Sequence, residues 1–273
     1  MILYLSLLLS VLLWAVPLSV LGQELPIFDA HIHYSRPDWD VLSPEQALAI
    51  LDRAGVRRAL VSSTPDDGTL RLYRLDSRRI VPFLRPYRTP ADMGSWHNDS
   101  TVQSYMEERL EGGVYKGIGE FHLSAKDVDT PVIKRLAELA PGQRLFFHAH
   151  VNEVGAEGLL RSYPQVRVLW AHAGMSAPAG VVGRLLDRFP KLWVELSLRF
   201  DVAPGGTLDP EWRTLFLRHP DRFMVGTDTW VTSRWEELIE EMKATRSWLS
   251  QLPSKIAEHI AYRNGERLFG APK

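Results

Sequence analysis

The stretch RLFFHAHVNEVGAEGLLRSYPQVRVLWAHAG, residues 144–174, contains one complete strand–helix–strand repeat. Arg144–His150 is a short apolar run ending in histidines. Val154–Ser162 carries helical spacing. Val166–Ala171 is apolar again, with His172 directly beyond it. Two strands joined through a helix lie parallel, because the chain must cross back over the sheet before it can pair again. The same rhythm continues in both directions. Upstream, strands are read at Leu25–His33, Arg58–Ser63, Arg79–Leu84 and Val114–Phe121, and helices at Ser43–Ala54, Leu70–Leu75, Thr101–Leu110 and Thr130–Leu139. Ser43 can cap its helix, with Pro44 in the first turn and Gly55 at the end. Downstream, strands at Leu192–Leu198 and Phe223–Gly226 alternate with helices at Ala179–Phe189 and Pro210–Leu217. Helices at Trp235–Leu249 and Lys255–Leu268 close the chain. Pro86–Ser100, with Trp96 and His97, reads as a polar loop. Eight such units in about 250 residues predict the α/β class and a closed (β/α)8 TIM barrel. An open doubly wound sheet usually needs fewer units.

The composition narrows the chemistry. The chain has 273 residues, a formal net charge of −1 and no long block of one sign, so nucleic-acid binding has no electrostatic footprint. Cysteine is absent, which excludes disulfides, thiolate nucleophiles and sulfur-ligated metal. Any metal must therefore be held by nitrogen and oxygen. Met1–Gly22 carries no charged side chain and has Pro17, Val20 and Gly22 near its end. It reads as a signal peptide cut between Gly22 and Gln23, although no Lys or Arg precedes its apolar run. An uncleaved membrane anchor is the alternative. Residues 23–273 then form one barrel domain that works secreted or in the periplasm, free of the membrane once the signal is removed.

In a β/α barrel the working residues sit at the carboxyl ends of the strands. Here ionisable residues fall at those ends repeatedly. The first strand ends Asp29-Ala30-His31-Ile32-His33, and residues two apart share a face, so His31 and His33 project together. The fifth ends His148-Ala149-His150, His172 follows the sixth, and the eighth runs into Gly226-Thr227-Asp228. A single histidine after an apolar run is usually a hydrogen-bonded core residue. Several of them with an acid at equivalent strand ends point to a shared metal. On the fourth strand Lys116, Ile118, Glu120 and His122 share a face. Lys116 lies roughly 13 Å deeper than Glu120 at about 3.3 Å per residue, so Glu120 is the better placed ligand and a carbamylated Lys116 the alternative. His122 is read either as a substrate contact or as a solvated loop residue.

Asp29-Ala30-His31-Ile32-His33, Gly117-Ile118-Gly119-Glu120, Phe147-His148, Trp170-Ala171-His172-Ala173-Gly174, Gly226-Thr227-Asp228 and the closing Arg263–Gly270 together resemble the amidohydrolase superfamily, in its amidohydrolase-related branch of metal-dependent barrel hydrolases. The resemblance spans nearly all of residues 23–273. It implies that His31, His33 and Asp228 bind one ion, that His148 and His172 bind a second, and that Glu120 bridges them when both are present. His148 is taken over His150 because it matches the family position after the apolar run, which leaves His150 either supporting a ligand or facing substrate. The cofactor expected is a divalent metal, zinc foremost, with one or two ions per chain.

Such an ion lowers the pKa of water to about 7 and polarises a carbonyl or phosphoryl oxygen. Asp228 is expected to move the proton, and His172 or His122 to steady the developing oxyanion. Arg85, Tyr87, Glu195, Arg199 and Trp230 are candidate contacts for a small-molecule substrate, each equally explained as rim packing or a rim ion pair. The reading is hydrolysis of an amide, ester, lactone or phosphoester. A single-metal decarboxylase of the same superfamily is the alternative, and a secreted binding protein that keeps the barrel without catalysis is a third.

Overall fold

Side-chain alternation along short apolar strands decides what faces the barrel axis and what faces the helices. The computed structural model describes residues 24–271; the expected signal segment lies outside them. Eight parallel strands pair in chain order: β1 (Ile27–Ile32), β2 (Val56–Val61), β3 (Ile80–Leu84), β4 (Gly117–His122), β5 (Phe146–His150), β6 (Arg167–Trp170), β7 (Leu192–Glu195) and β8 (Phe223–Met224). The ring closes where the Ala30 N–H donates to the Val225 carbonyl at 2.8 Å and the Asp228 N–H to the His31 carbonyl at 2.7 Å. Helices α1 (Pro44–Arg53), α2 (Asp67–Leu75), α3 (Ser100–Glu111), α4 (Pro131–Gly142), α5 (Glu153–Ser162), α6 (Ala179–Arg188), α7 (Pro210–Arg218) and α8 (Ser233–Leu249) follow the strands in turn. This is the (β/α)8 barrel that the alternation predicts. Among the described residues no helix is long and apolar enough to cross a membrane.

Local chemistry sets the element ends. Ser43 caps α1 as expected. Its hydroxyl accepts from the Gln46 N–H, and the Gln46 side chain accepts from the Ser43 N–H at 2.7 Å. Two expectations change. Lys255–Leu268 is not one helix but α9 (Ser254–Glu258), a π-helical turn at His259–Arg263 and α10 (Asn264–Phe269). Residues 86–100 are not open loop. They form two 3-10 turns that bury Trp96, whose indole N–H donates to the His122 carbonyl at 3.0 Å.

The last helix seals the amino end of the barrel. Phe269 on α10 packs its ring 5.0 Å from Phe146, 5.6 Å from Phe83 and 5.8 Å from Phe28. Close approach requires Gly265, where a Cβ would come within 2.3 Å of the Phe28 ring. Gly265→Ala overpacks this plug and should cost about 1–3 kcal/mol. In a chain of this size that lowers the melting midpoint by roughly 2–12 °C. Thermal unfolding followed by circular dichroism measures it.

Candidate metal centre

The opposite, carboxyl end collects the ionisable residues. His31 and His33 lie on and just after β1, Glu120 on β4, and Asp228 just beyond β8, and all four are buried. The His31 and His33 Nε2 atoms are 3.1 Å apart. Asp228 Oδ1 is 3.6 Å from His31 Nε2 and 3.2 Å from His33 Nε2. Glu120 Oε2 is 3.6 Å and 3.4 Å from the same two nitrogens. Ligands on a tetrahedral ion with bonds of about 2.0–2.1 Å are separated by roughly 3.3 Å, so these spacings suit one shared ion. Asp228 Oδ1 is buried with no hydrogen-bond partner, which is costly unless a cation meets it.

The tautomers agree with this. His33 Nδ1 bonds the Ser62 carbonyl, His31 Nδ1 lies 3.0 Å from Glu195 Oε1, and His172 Nδ1 lies 3.2 Å from the Ser197 carbonyl. An acceptor opposite each Nδ1 makes that nitrogen the N–H donor and leaves the Nε2 lone pairs facing the centre. The carboxylates then decide the charges. Burial works against a charged His31, but Asp228, Glu195 and Glu120 outweigh it and raise its pKa well above the usual imidazole range. Burial likewise opposes ionised Glu120, and His31, His150 and His172 hold it well below the carboxylate range. Asp228 is also lowered, by His31 and His33 against its burial.

The other expected residues divide between those that join the centre and those that do not. His172 joins it, with Nε2 3.2 Å from Glu120 Oε1 and 4.0 Å from Asp228 Oδ2. His150 reaches Glu120 Oε1 through Nδ1 at 2.8 Å, and His122 stacks on His150 with ring centroids 4.2 Å apart. His148 lies deeper. Its nearest carboxylate is Glu195, at 3.8 Å, and both its ring nitrogens lack a hydrogen-bond partner. Burial pushes its pKa down to about 4. The geometry therefore places His150, not His148, against Glu120. Residues two apart on β5 share a face but differ in depth by about 6.6 Å, and sequence alone does not show which level meets Glu120. Lys116 is exposed at the amino end, away from the centre, which removes the carbamylated-lysine alternative.

Two of the expected substrate contacts are struts instead. Arg199 is buried and bonds the carbonyls of His172, Ala173 and Ala177 as well as the Asp201 carboxylate. It braces a turn in which His172 and Ala173 take left-handed backbone angles, with φ of 54° and 46°. Such angles cost non-glycine residues about 1–2 kcal/mol each. Tyr87 is fully buried, and its hydroxyl accepts from the His122 N–H at 2.7 Å, so it positions His122. Arg85 does reach the centre, but it is spent on Glu120. Its Nη2 is 2.8 Å from Oε2, and its Nε donates to the Glu120 carbonyl at 3.2 Å. Trp230 is 61% exposed on the rim just past Asp228, still open to a substrate.

One residue takes a role that the sequence reading, which places it with Arg199 among possible substrate contacts at the seventh strand, does not give it. Glu195, the last residue of β7, is fully buried beneath the centre. Besides His31 Nδ1, it accepts from the His172 N–H at 2.6 Å and the Ser197 N–H at 2.8 Å. Its position at a strand end was the available signal.

Comparison with known proteins bears on the family and the fold. A family model described as Amidohydrolase matches residues 31–271. No curated protein matches the chain. A protein from Acinetobacter baumannii assigned as a 2-pyrone-4,6-dicarboxylic acid hydrolase, solved with citric acid bound, superposes with a TM-score of 0.63 at 14% identity, covering 89% of this chain and 99% of its own. A Pseudomonas putida protein with the same assignment gives 0.61 at 16% identity, covering 90% and 98%. At such identity the likeness establishes the shared fold.

Proposed function

The chain belongs to the amidohydrolase family, and from that premise we propose that this enzyme hydrolyses an ester, lactone or amide with one divalent ion, zinc foremost, held by His31, His33, Glu120 and Asp228. The observation that carries the reading is the set of ligand-to-ligand spacings of 3.1 to 3.6 Å among their donor atoms. One ion is favoured over two because Arg85 already neutralises Glu120 Oε2, the oxygen nearest His31 and His33. A carboxylate bridging two divalent ions would have to carry that guanidinium as well. When bound, the ion supplies acidified water and a polarised carbonyl oxygen.

The protein side of the reaction follows from the side chains. Asp228 faces the centre with an unpartnered oxygen and takes the proton of the attacking water, then returns it to the leaving group. His172 lies between Glu120 and Asp228; burial opposes its charge, but Glu120 and Glu195 outweigh it and raise its pKa, so the ring can hold a second proton on Nε2 and donate it to the oxygen on which negative charge develops. Buried Arg199 fixes the turn that aims it. The single-metal decarboxylase is the second reading, because the same four ligands would serve it. Elemental analysis of the purified protein, run with a panel of lactones, esters and amides and with assays for released carbon dioxide, separates the two. Carbon dioxide release without ring opening or ester cleavage would overturn the hydrolase.

A chelator should abolish turnover, and added zinc should restore it. Metal affinity should also fall with pH. The ligand His31 has a raised pKa in the ion-free protein, so a proton occupies it at lower pH and the ion must displace that proton. Each displaced proton weakens apparent affinity roughly tenfold per pH unit below the raised pKa. Competition titrations between pH 6 and about 8 measure this, and a flat profile would contradict it.

A further inference from the structure

A cavity of about 470 Å³ opens beside the centre, between the ends of β4 and β5 and the 3-10 turn at Pro90–Gly94. His122 and His150, stacked on one another, form its inner wall, and Met93, His97, Leu123 and Asp127 complete much of the rest. No arginine or lysine is among its lining residues, and its one acid is Asp127. The arginines that could reach in from nearby are committed elsewhere. Arg85 is bound to Glu120, and Arg88 to Asp92 and Asp99. Across the mouth, Arg199 holds Asp201 and three backbone carbonyls, while Arg234 bonds the carbonyls of Thr227 and Asp228 and the Glu241 carboxylate. These guanidiniums brace the left-handed turns that aim His172 and Asp228, so using them for substrate would release the centre.

Binding a dicarboxylate takes more than one cation. The ion can meet one carboxylate. A second, entering this cavity, would be stripped of water with no guanidinium or ammonium among the lining residues to replace it, the neighbouring Lys126 being exposed outside them, and with Asp127 opposing it. Imidazole edges and faces and the Met93 and Leu123 side chains instead suit a neutral ring or acyl group that presents an apolar face and a few hydrogen-bonding atoms.

Resting on the hydrolase reading above, we propose that this cavity holds the uncharged portion of a lactone or ester, and that the enzyme selects neutral substrates over polycarboxylates. The test compares 2-pyrone-4,6-dicarboxylate with its dimethyl ester on the zinc-loaded enzyme. A methyl ester withdraws electrons more strongly than a carboxylate and activates the ring, so each kcat/KM is taken relative to that pyrone's own rate of opening by hydroxide, which leaves charge as the difference compared. Ring opening is followed by loss of pyrone absorbance, with the uncatalysed rates subtracted. The expected result is a kcat/KM at least tenfold higher for the dimethyl ester. Equal or better use of the free dicarboxylate overturns the proposal and leaves the hydrolase intact. If neither pyrone opens, δ-lactones with and without a carboxylate give the same comparison and are judged by the same ratio. Inertness of every lactone and ester removes the hydrolase reading, and this proposal with it. Asp127→Lys supplies the missing cation and should move the preference at least several-fold toward the charged member of the pair. An unmoved ratio overturns the assignment of this cavity.

Discussion

Asp228→Asn should lower kcat by about 10²–10⁴-fold and leave the purified protein with less bound metal than the wild type. The substitution preserves shape, and the backbone at this position is held independently of the carboxylate. The Asp228 N–H donates to the His31 carbonyl at 2.7 Å, and its own carbonyl accepts from Arg234 Nε at 2.6 Å. These two bonds keep a non-glycine residue at φ 57° and fix the direction in which the side chain leaves the strand. What changes is charge and basicity. Oδ1, unpartnered and 3.2 Å from His33 Nε2, becomes either a neutral amide oxygen or an amide N–H that competes with a cation for the histidine lone pair. Either outcome weakens the ion and removes the proton acceptor. Steady-state kinetics and elemental analysis on the same preparation, with circular dichroism to verify folding, decide the matter. Turnover within about threefold of wild type would exclude Asp228 as the base, because general-base groups contribute far more than that.

The barrel was legible in the sequence because its signal is redundant. Each unit carries its own apolar run and its own amphipathic helix, so an error of a few residues at one end, as at β7 or β8, does not disturb the topology. The centre was legible in part for a related reason. In a barrel the strand end is a place as well as a position in sequence, so His31, His33, Glu120, His172 and Asp228 could be brought together on paper before any contact was known. Depth and partnership could not. His148 and His150 share a face, and only the stagger of β5 against β4 determines which of them meets Glu120. Arg85, Arg199 and Tyr87 stand where substrate contacts would stand, but their partners come from other strands or from backbone carbonyls that carry no sequence signature. Glu195 reads from sequence as a possible substrate contact rather than a support of the centre, because the seventh strand reads three residues too long, through Leu198. That extension moved the apparent strand end past the carboxylate.

Glu195→Gln should weaken metal binding by about 10–100-fold, although Glu195 is not among the proposed ligands. The carboxylate is surrounded by donors. Oε1 lies 3.0 Å from His31 Nδ1 and 2.6 Å from the His172 N–H, and Oε2 accepts from the Ser197 N–H at 2.8 Å. An amide has one oxygen to offer them, so in either orientation its NH2 group faces a donor. If the NH2 faces His31, Nδ1 must become an acceptor, and the ring proton moves to Nε2, the atom that faces His33, Glu120 and Asp228. If it faces Ser197, a buried backbone N–H loses its partner, at a cost of about 1–3 kcal/mol. Gly226 leaves no room to relax toward β8, since even a Cβ there would lie 2.3 Å from Glu195 Oε2. Competition with a chromophoric chelator gives the dissociation constant, and the melting midpoint of the metal-free protein reports any general loss of packing. A purely structural role predicts a lower midpoint with unchanged metal affinity, and that result would refute the orienting role. Weaker binding at a midpoint near that of the wild type would confirm that Glu195 acts through the His31 tautomer.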